Sequence, residues 1–212
     1  MLKSKVHHGQ QTGIIIWRDS TATVEESLIY ENSSTGLLVA GGSKPIIRKC
    51  MFRSHVYSAI EVKVGGAPVF EQCQIYGGRS GGIYFHDGGN GRVEECLIFD
   101  NMGANVVIAS GSNPQIQKSR FSESRQAGLL VTEGGQGVIE DCKIFNNYVG
   151  IEIEENGAPL VQHSKINNNR HQGVMAHGAS AGSITGSELT GNPGGAWKID
   201  NGSRLVRGQN LE

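Results

Sequence analysis

The chain has little of what marks most globular proteins. It has no long apolar run, and so no candidate transmembrane helix. Its opening, MLKSKVHHGQQT, carries lysines with no apolar segment behind them, and does not read as a secretory signal. It has almost no net charge, with 19 basic residues against 20 acidic. A bulk polyanion such as DNA needs a basic face, so no nucleic-acid partner is expected. Aromatics make up only 6% of the residues, which argues against a long sugar-stacking cleft. There are five prolines and four cysteines.

Glycine is what the chain has in excess, 31 of 212 residues and about twice the usual share. The glycines punctuate a repeat. One unit runs from Gly128 to Val149, GLLVTEGGQGVIEDCKIFNNYV, and copies open at Gly13, Gly36, Ala59, Gly82, Asn105, Gly128, Gly150, Gly173 and Ala196. The spacing is 23 residues throughout, with one step of 22. A fixed period of this length means a solenoid.

Three architectures compete. A leucine-rich repeat would give half of each unit to a second, often helical layer, but here that half reads GGSKP, GGAP, GSNP and NGAP, which does not favour a helix. A left-handed β-helix counts in sixes, which 23 does not fit. The remaining reading is all-β: a right-handed, single-stranded parallel β-helix of about nine coils, each with three short strands and three corners. Four columns support it. The second place holds Ile14, Leu37, Ile60, Ile83, Val106, Leu129, Ile151, Val174 and Trp197, and the fourth, twelfth and seventeenth places are equally apolar. Alternate residues of a strand share a face, so these columns predict the core. Asn32, Asn101, Asn147, Asn169 and Asn192 recur at one corner, where Asn tolerates left-handed backbone and can pair up the axis. Residues 1–212 read as one β-helix domain. Both ends fall mid-coil without a polar cap, so a segment of a longer protein is expected.

The four cysteines fall in one column: Ser27, Cys50, Cys73, Cys96, Ser119, Cys142, Ser164, Ser187 and Asn210. Stacked side chains run parallel, which does not supply a disulfide's dihedral. No histidine shares the column, and a linear stack cannot make a zinc tetrahedron. Free, buried thiols are expected, which is compatible with a reducing compartment such as the cytoplasm.

Coils with Pro at the second corner (SNPQIQKSRF, KPIIRKCMF, APLVQHSKI) alternate with coils rich in Gly and acids (NGRVEECLIFDN, QGVIEDCKIFNN). With the G-apolar-x-apolar openings, this pattern resembles the right-handed β-helix repeats of the F-box only proteins. It is also similar to the wider NosD-like class of carbohydrate-binding and sugar-hydrolase domains, solenoids of the pectate-lyase-like type. The resemblance covers roughly Gly13 to Asn192 and implies a fold. In F-box proteins it would imply a docking surface, in other relatives action on polysaccharide. The chain has no F-box, so ligase function does not carry over.

Two outward features of the first strands are candidate sites. One is an acidic patch, Glu152 and Glu154 with His177, near Glu133, Glu155 and Asp200. Carboxylates paired with histidine could do acid–base work or hold Ca²⁺, though no cofactor is required and a solvated face with Glu154–His177 contacts is the preferred reading. The other is an apolar stripe, Ile15, Leu38, Tyr84, Val107, Leu130 and Met175, with Trp17 beside it. A contiguous apolar stripe marks an interface, and Tyr84 would be its anchor. The leading expectation is a non-enzymatic interaction module, binding a protein, a second copy or a glycan through this face. The alternative is a polysaccharide lyase, hydrolase or epimerase using Glu152, Glu154 and His177.

Overall fold

The computed structural model describes every residue from Met1 to Glu212. It contains strands, turns and no helix. The strands are three to five residues long and form three parallel sheets of nine, nine and eight strands. Each strand pairs with the equivalent strand one coil away: Ile60↔Ile83↔Val106↔Leu129 on sheet one, Ile47↔Phe70↔Val93↔Ile116 on sheet two, Ile29↔Phe52↔Ile75↔Ile98 on sheet three. The fold is the right-handed parallel β-helix of about nine turns expected from the period.

The columns are a consequence of register. In-register stacking at roughly 4.8 Å puts every apolar residue against its own kind in the next coil. On sheet one the burial alternates: Ile83 and Phe85 are fully buried while Tyr84 between them is half-exposed. The result is one continuous core of 36 residues from Ile16 to Leu189. Ile14 and Trp197, in the first and last coils of sheet one, are only partly covered because each lacks a neighbour on one side. Arg207, where the core column calls for an apolar residue, lies outside with its guanidinium 5.5 Å from the Trp197 ring.

The corners explain the glycines. After the first strand of every coil but the last the chain turns through two residues in left-handed backbone, Val64–Gly65, Asp87–Gly88 and Glu133–Gly134 among them. The next residue must be small for a different reason. A Cβ at Gly89, Gly135 or Gly157 would run into the carbonyl of Val62, Ile108 or Val131 in the coil before it. At the opposite corner the asparagine ladder forms as expected. Asn147 N–H donates to Asn169 Oδ1 at 3.1 Å, and Asn169 N–H to Asn192 Oδ1 at 2.9 Å. His55 takes the asparagine place between Asn32 and Gly78 and is fully buried.

The cysteine column is a ladder of the same kind. All four thiols are buried and free. Each approaches the carbonyl two residues back, as Cys96 Sγ does Glu94 O at 3.3 Å, while Cys73 N–H donates to Cys96 Sγ at 3.4 Å and Cys96 N–H to Ser119 Oγ at 3.1 Å. Ser and Cys interchange because either offers a small acceptor to the coil before. Burial pushes the Cys142 thiol up to about 12, so Cys142 is not a reactive thiolate.

Candidate functional site

The site is built from the outward side chains of sheet one. A three-residue strand offers its middle residue and the residue just past its end to solvent, so each coil contributes two positions. The stripe expected from the sequence is there but interrupted. Leu38, Tyr84, Val107, Leu130 and Met175 all point outward and are half-buried by their neighbours. Register places Glu61 between Leu38 and Tyr84, and Glu152 between Leu130 and Met175. Tyr84, Val107 and Leu130 form the longest unbroken apolar run, and Ile15 with Leu38 makes a separate pair beyond Glu61. Trp17 lies three coils from His86 in its own column and packs by the Gly41 corner, half-exposed and apart from that run.

On either side of the run stand two histidine–carboxylate clusters built to one plan. Each takes a Glu from the middle of one strand and a His from just past the end of the next. Glu152 Oε1 is 3.3 Å from His177 Nε2, and Glu154 Oε2 is 3.5 Å from the same nitrogen, so the three residues anticipated as an acidic patch do come together. Four coils earlier Glu61 Oε1 is 2.9 Å from His86 Nε2. Asp87 Oδ2 takes the other ring nitrogen at 2.9 Å, and Lys63 Nζ reaches Glu61 at 2.7 Å. The Tyr84 ring stacks on His86, centroids 4.2 Å apart. Where the second cluster has Glu154, the first has Lys63. Where the second has Met175, the first has Tyr84.

The electrostatics of the first cluster follow from these contacts. Burial works against ionising Glu61, but the Lys63 ammonium and the His86 ring outweigh it and hold the carboxyl below the usual range. Burial, with the charges of Glu133, Asp87 and Glu61, pushes the Tyr84 phenol up. Tyr84 is therefore suited to stack and donate a hydrogen bond, and poorly suited to act as a phenolate base.

A groove runs beside this cluster, along the corner that leads into sheet one. One part, of about 320 Å³, is lined by Ser34, Thr35, Tyr57, Ser58, Glu61, Ser80 and Tyr84. A continuation of about 220 Å³ passes Gly81, Gly103, Ala104, Val107 and Gln126 on the other side of Tyr84. Tyr57 is exposed at its edge. Sequence reading missed the first cluster and the groove. The signal for the cluster was present: IEVK at Ile60–Lys63 and IEIE at Ile151–Glu154 each precede a histidine at the same later place. The groove had no such signal, because its serines belong to a corner whose path the period does not specify.

The face also carries an imbalance of charge. Asp19, Glu61, Asp87, Glu133, Glu152, Glu154, Glu155 and Asp200 stand along sheet one and the corner beyond it, against Arg18, Lys63 and Lys198.

The chain belongs to the right-handed β-helix family. The family's profile, described as a right handed beta helix region, matches residues 12–164 and, overlapping, 58–211. No curated protein matches the sequence. Among solved structures, the periplasmic alginate epimerase AlgG is similar with a TM-score of 0.72 at 12% identity, over 92% of this chain and 60% of its own. The A-module of the Azotobacter vinelandii mannuronan C-5 epimerase AlgE6 gives 0.74 at 14% identity, over 92% and 61%. The catalytic domain of Agl-KA gives 0.69 at 16%, over 97% and 47%. This chain thus spans less than two thirds of each, and likeness at such identity establishes the fold. No helix is long and apolar enough to cross a membrane.

Proposed function

We propose that sheet one and the groove beside it bind an uncharged glycan laid along the axis of the rod. The observation that carries this is the Tyr84 ring, held flat against His86 at the wall of a groove lined by hydroxyl and amide side chains. A sugar offers an apolar face to an aromatic plate and hydroxyls to polar groups, and this groove supplies both. The structural neighbours named for alginate and mannuronan support a saccharide ligand. The acid-rich face disfavours a polyuronate, because a bare one would meet eight carboxylates against three cations.

Calorimetric titration with neutral oligosaccharides and with oligouronates, with and without Ca²⁺, tests this. Saturable binding of a neutral oligosaccharide, weakened about tenfold by Tyr84→Ala, is expected. Binding of oligouronate alone, or none at all, would overturn it.

A second reading has its own support. His86 between Glu61 and Asp87, and His177 between Glu152 and Glu154, are arrangements that could relay a proton, which keeps a polysaccharide-active enzyme as the alternative. Products with new reducing ends, new double bonds or altered epimers, lost in His86→Gln or Glu154→Gln, would favour it over the binding module.

A further inference from the structure

Sheet three presents an outward face that neither reading uses. Its first half is largely apolar: Leu28 and Met51 are paired in register, Tyr76 stacks on Phe99 with centroids 4.8 Å apart, and Leu97 is exposed beside them, with Gln74 between Met51 and Leu97 and with Arg53, held by Glu31 at 3.0 Å, between Tyr30 and Tyr76. Its second half is a cationic ladder. Arg120, Lys143 and Lys165 are successive cross-strand partners, all exposed. Like charges directly opposite each other destabilise a sheet, and here two such contacts stand in a row. Only Lys165 is relieved, by Glu188 at 2.8 Å.

We infer that this face docks a protein segment with an apolar stretch followed by a run of carboxylates. The apolar half spans roughly 14 Å and the ladder roughly 10 Å at the spacing of stacked coils. The aliphatic side chains of Leu28, Met51 and Leu97 favour a protein over a saccharide, and Tyr76 and Phe99 turn a ring face to each other. A second copy fits badly. Two copies lying parallel would set ladder against ladder. Antiparallel copies centred on the apolar halves would bring Arg120 of one to the first strand of the other, where Lys5 stands. Acidic side chains, spaced to meet Arg120 and Lys143, supply what the ladder lacks. This inference stands apart from the glycan reading, which concerns sheet one.

Selection of random displayed dodecapeptides on the intact protein tests it. Enriched peptides should combine aliphatic or aromatic residues with several Asp or Glu. Their binding should weaken with added salt. It should fall about tenfold in Phe99→Asp and in Lys143→Glu, and return in Lys143→Glu when one peptide Glu is replaced by Lys. Lys143→Glu keeps the test valid if Phe99→Asp fails to fold, because Lys143 is exposed and its replacement removes two like-charge contacts. The inference is overturned if no peptide is enriched, if enriched peptides lack acids or bind both variants equally, if a sulfated oligosaccharide competes for the ladder in their place, or if the protein is a dimer that Phe99→Asp splits.

Discussion

His55 makes the fold sensitive to acid in a way that can be worked through. It stands where five other coils place asparagine, fully buried, with Asn32 N–H donating to Nδ1 at 3.3 Å and Nε2 at 3.2 Å from Ile29 O. Those contacts specify the neutral ring, with Nδ1 accepting and Nε2–H donating. A second proton on Nδ1 would face the Asn32 N–H. Burial, with a smaller contribution from the Arg53 charge, lowers the histidine from its ordinary 6.5 to about 4. The folded value is depressed, so the stabilisation is complete above pH 6.5. It is lost as pH falls from there toward 4, because the unfolded chain takes up a proton that the folded chain refuses. The full loss is about 3 kcal/mol, and about 2 kcal/mol of it is gone by pH 5. Urea unfolding of the parent and of His55→Asn at pH 7.5 and pH 5 isolates this contribution, since other groups titrate alike in both. The variant should lose about 2 kcal/mol less than the parent between the two pH values. Equal losses would refute the reasoning, as would an imidazole resonance titrating near 6.5 in the folded protein.

Three further substitutions test the account of the coil. Val64 is a β-branched residue in left-handed backbone (φ 49°), more than half exposed, so Val64→Asn should raise stability by about 1 kcal/mol in chemical denaturation. Cys96→Ser should be nearly neutral, while Cys96→Val should cost about 1–3 kcal/mol by leaving the buried Cys73 N–H without its acceptor. Lys143→Glu should stabilise by up to about 1 kcal/mol, seen as a higher melting temperature at low salt that converges with the parent at high salt.

The core was legible because it repeats. Ile83, Val106 and Leu129 stand one period apart, and period plus alternation fixes both their register and their face. The asparagine ladder was legible for the same reason. His55 was not read, although it occupies an asparagine place, because a lone histidine breaks a column without announcing whether it is buried. The site was half legible. Glu152, Glu154 and His177 were found by their carboxylates. Glu61 and His86 escaped because their neighbours Lys63 and Tyr84 made the coil look like ordinary mixed surface. The stripe was read as continuous because apolar residues outnumber polar ones in its column, yet one Glu in the column suffices to cut it in space. The aromatic and cationic face of sheet three was overlooked because the sequence reading weighed outward residues on the first strand most heavily.

Hydrogen exchange along the chain, measured with and without a saturating neutral oligosaccharide, tests most directly whether sheet one is the binding face. The account predicts added protection in the groove, around Ser58, Ser80, Gly103 and Gln126, together with the strands at Glu61 and Tyr84, and loss of that protection in Tyr84→Ala. Protection confined to sheet two or sheet three, or unchanged by Tyr84→Ala, would contradict it.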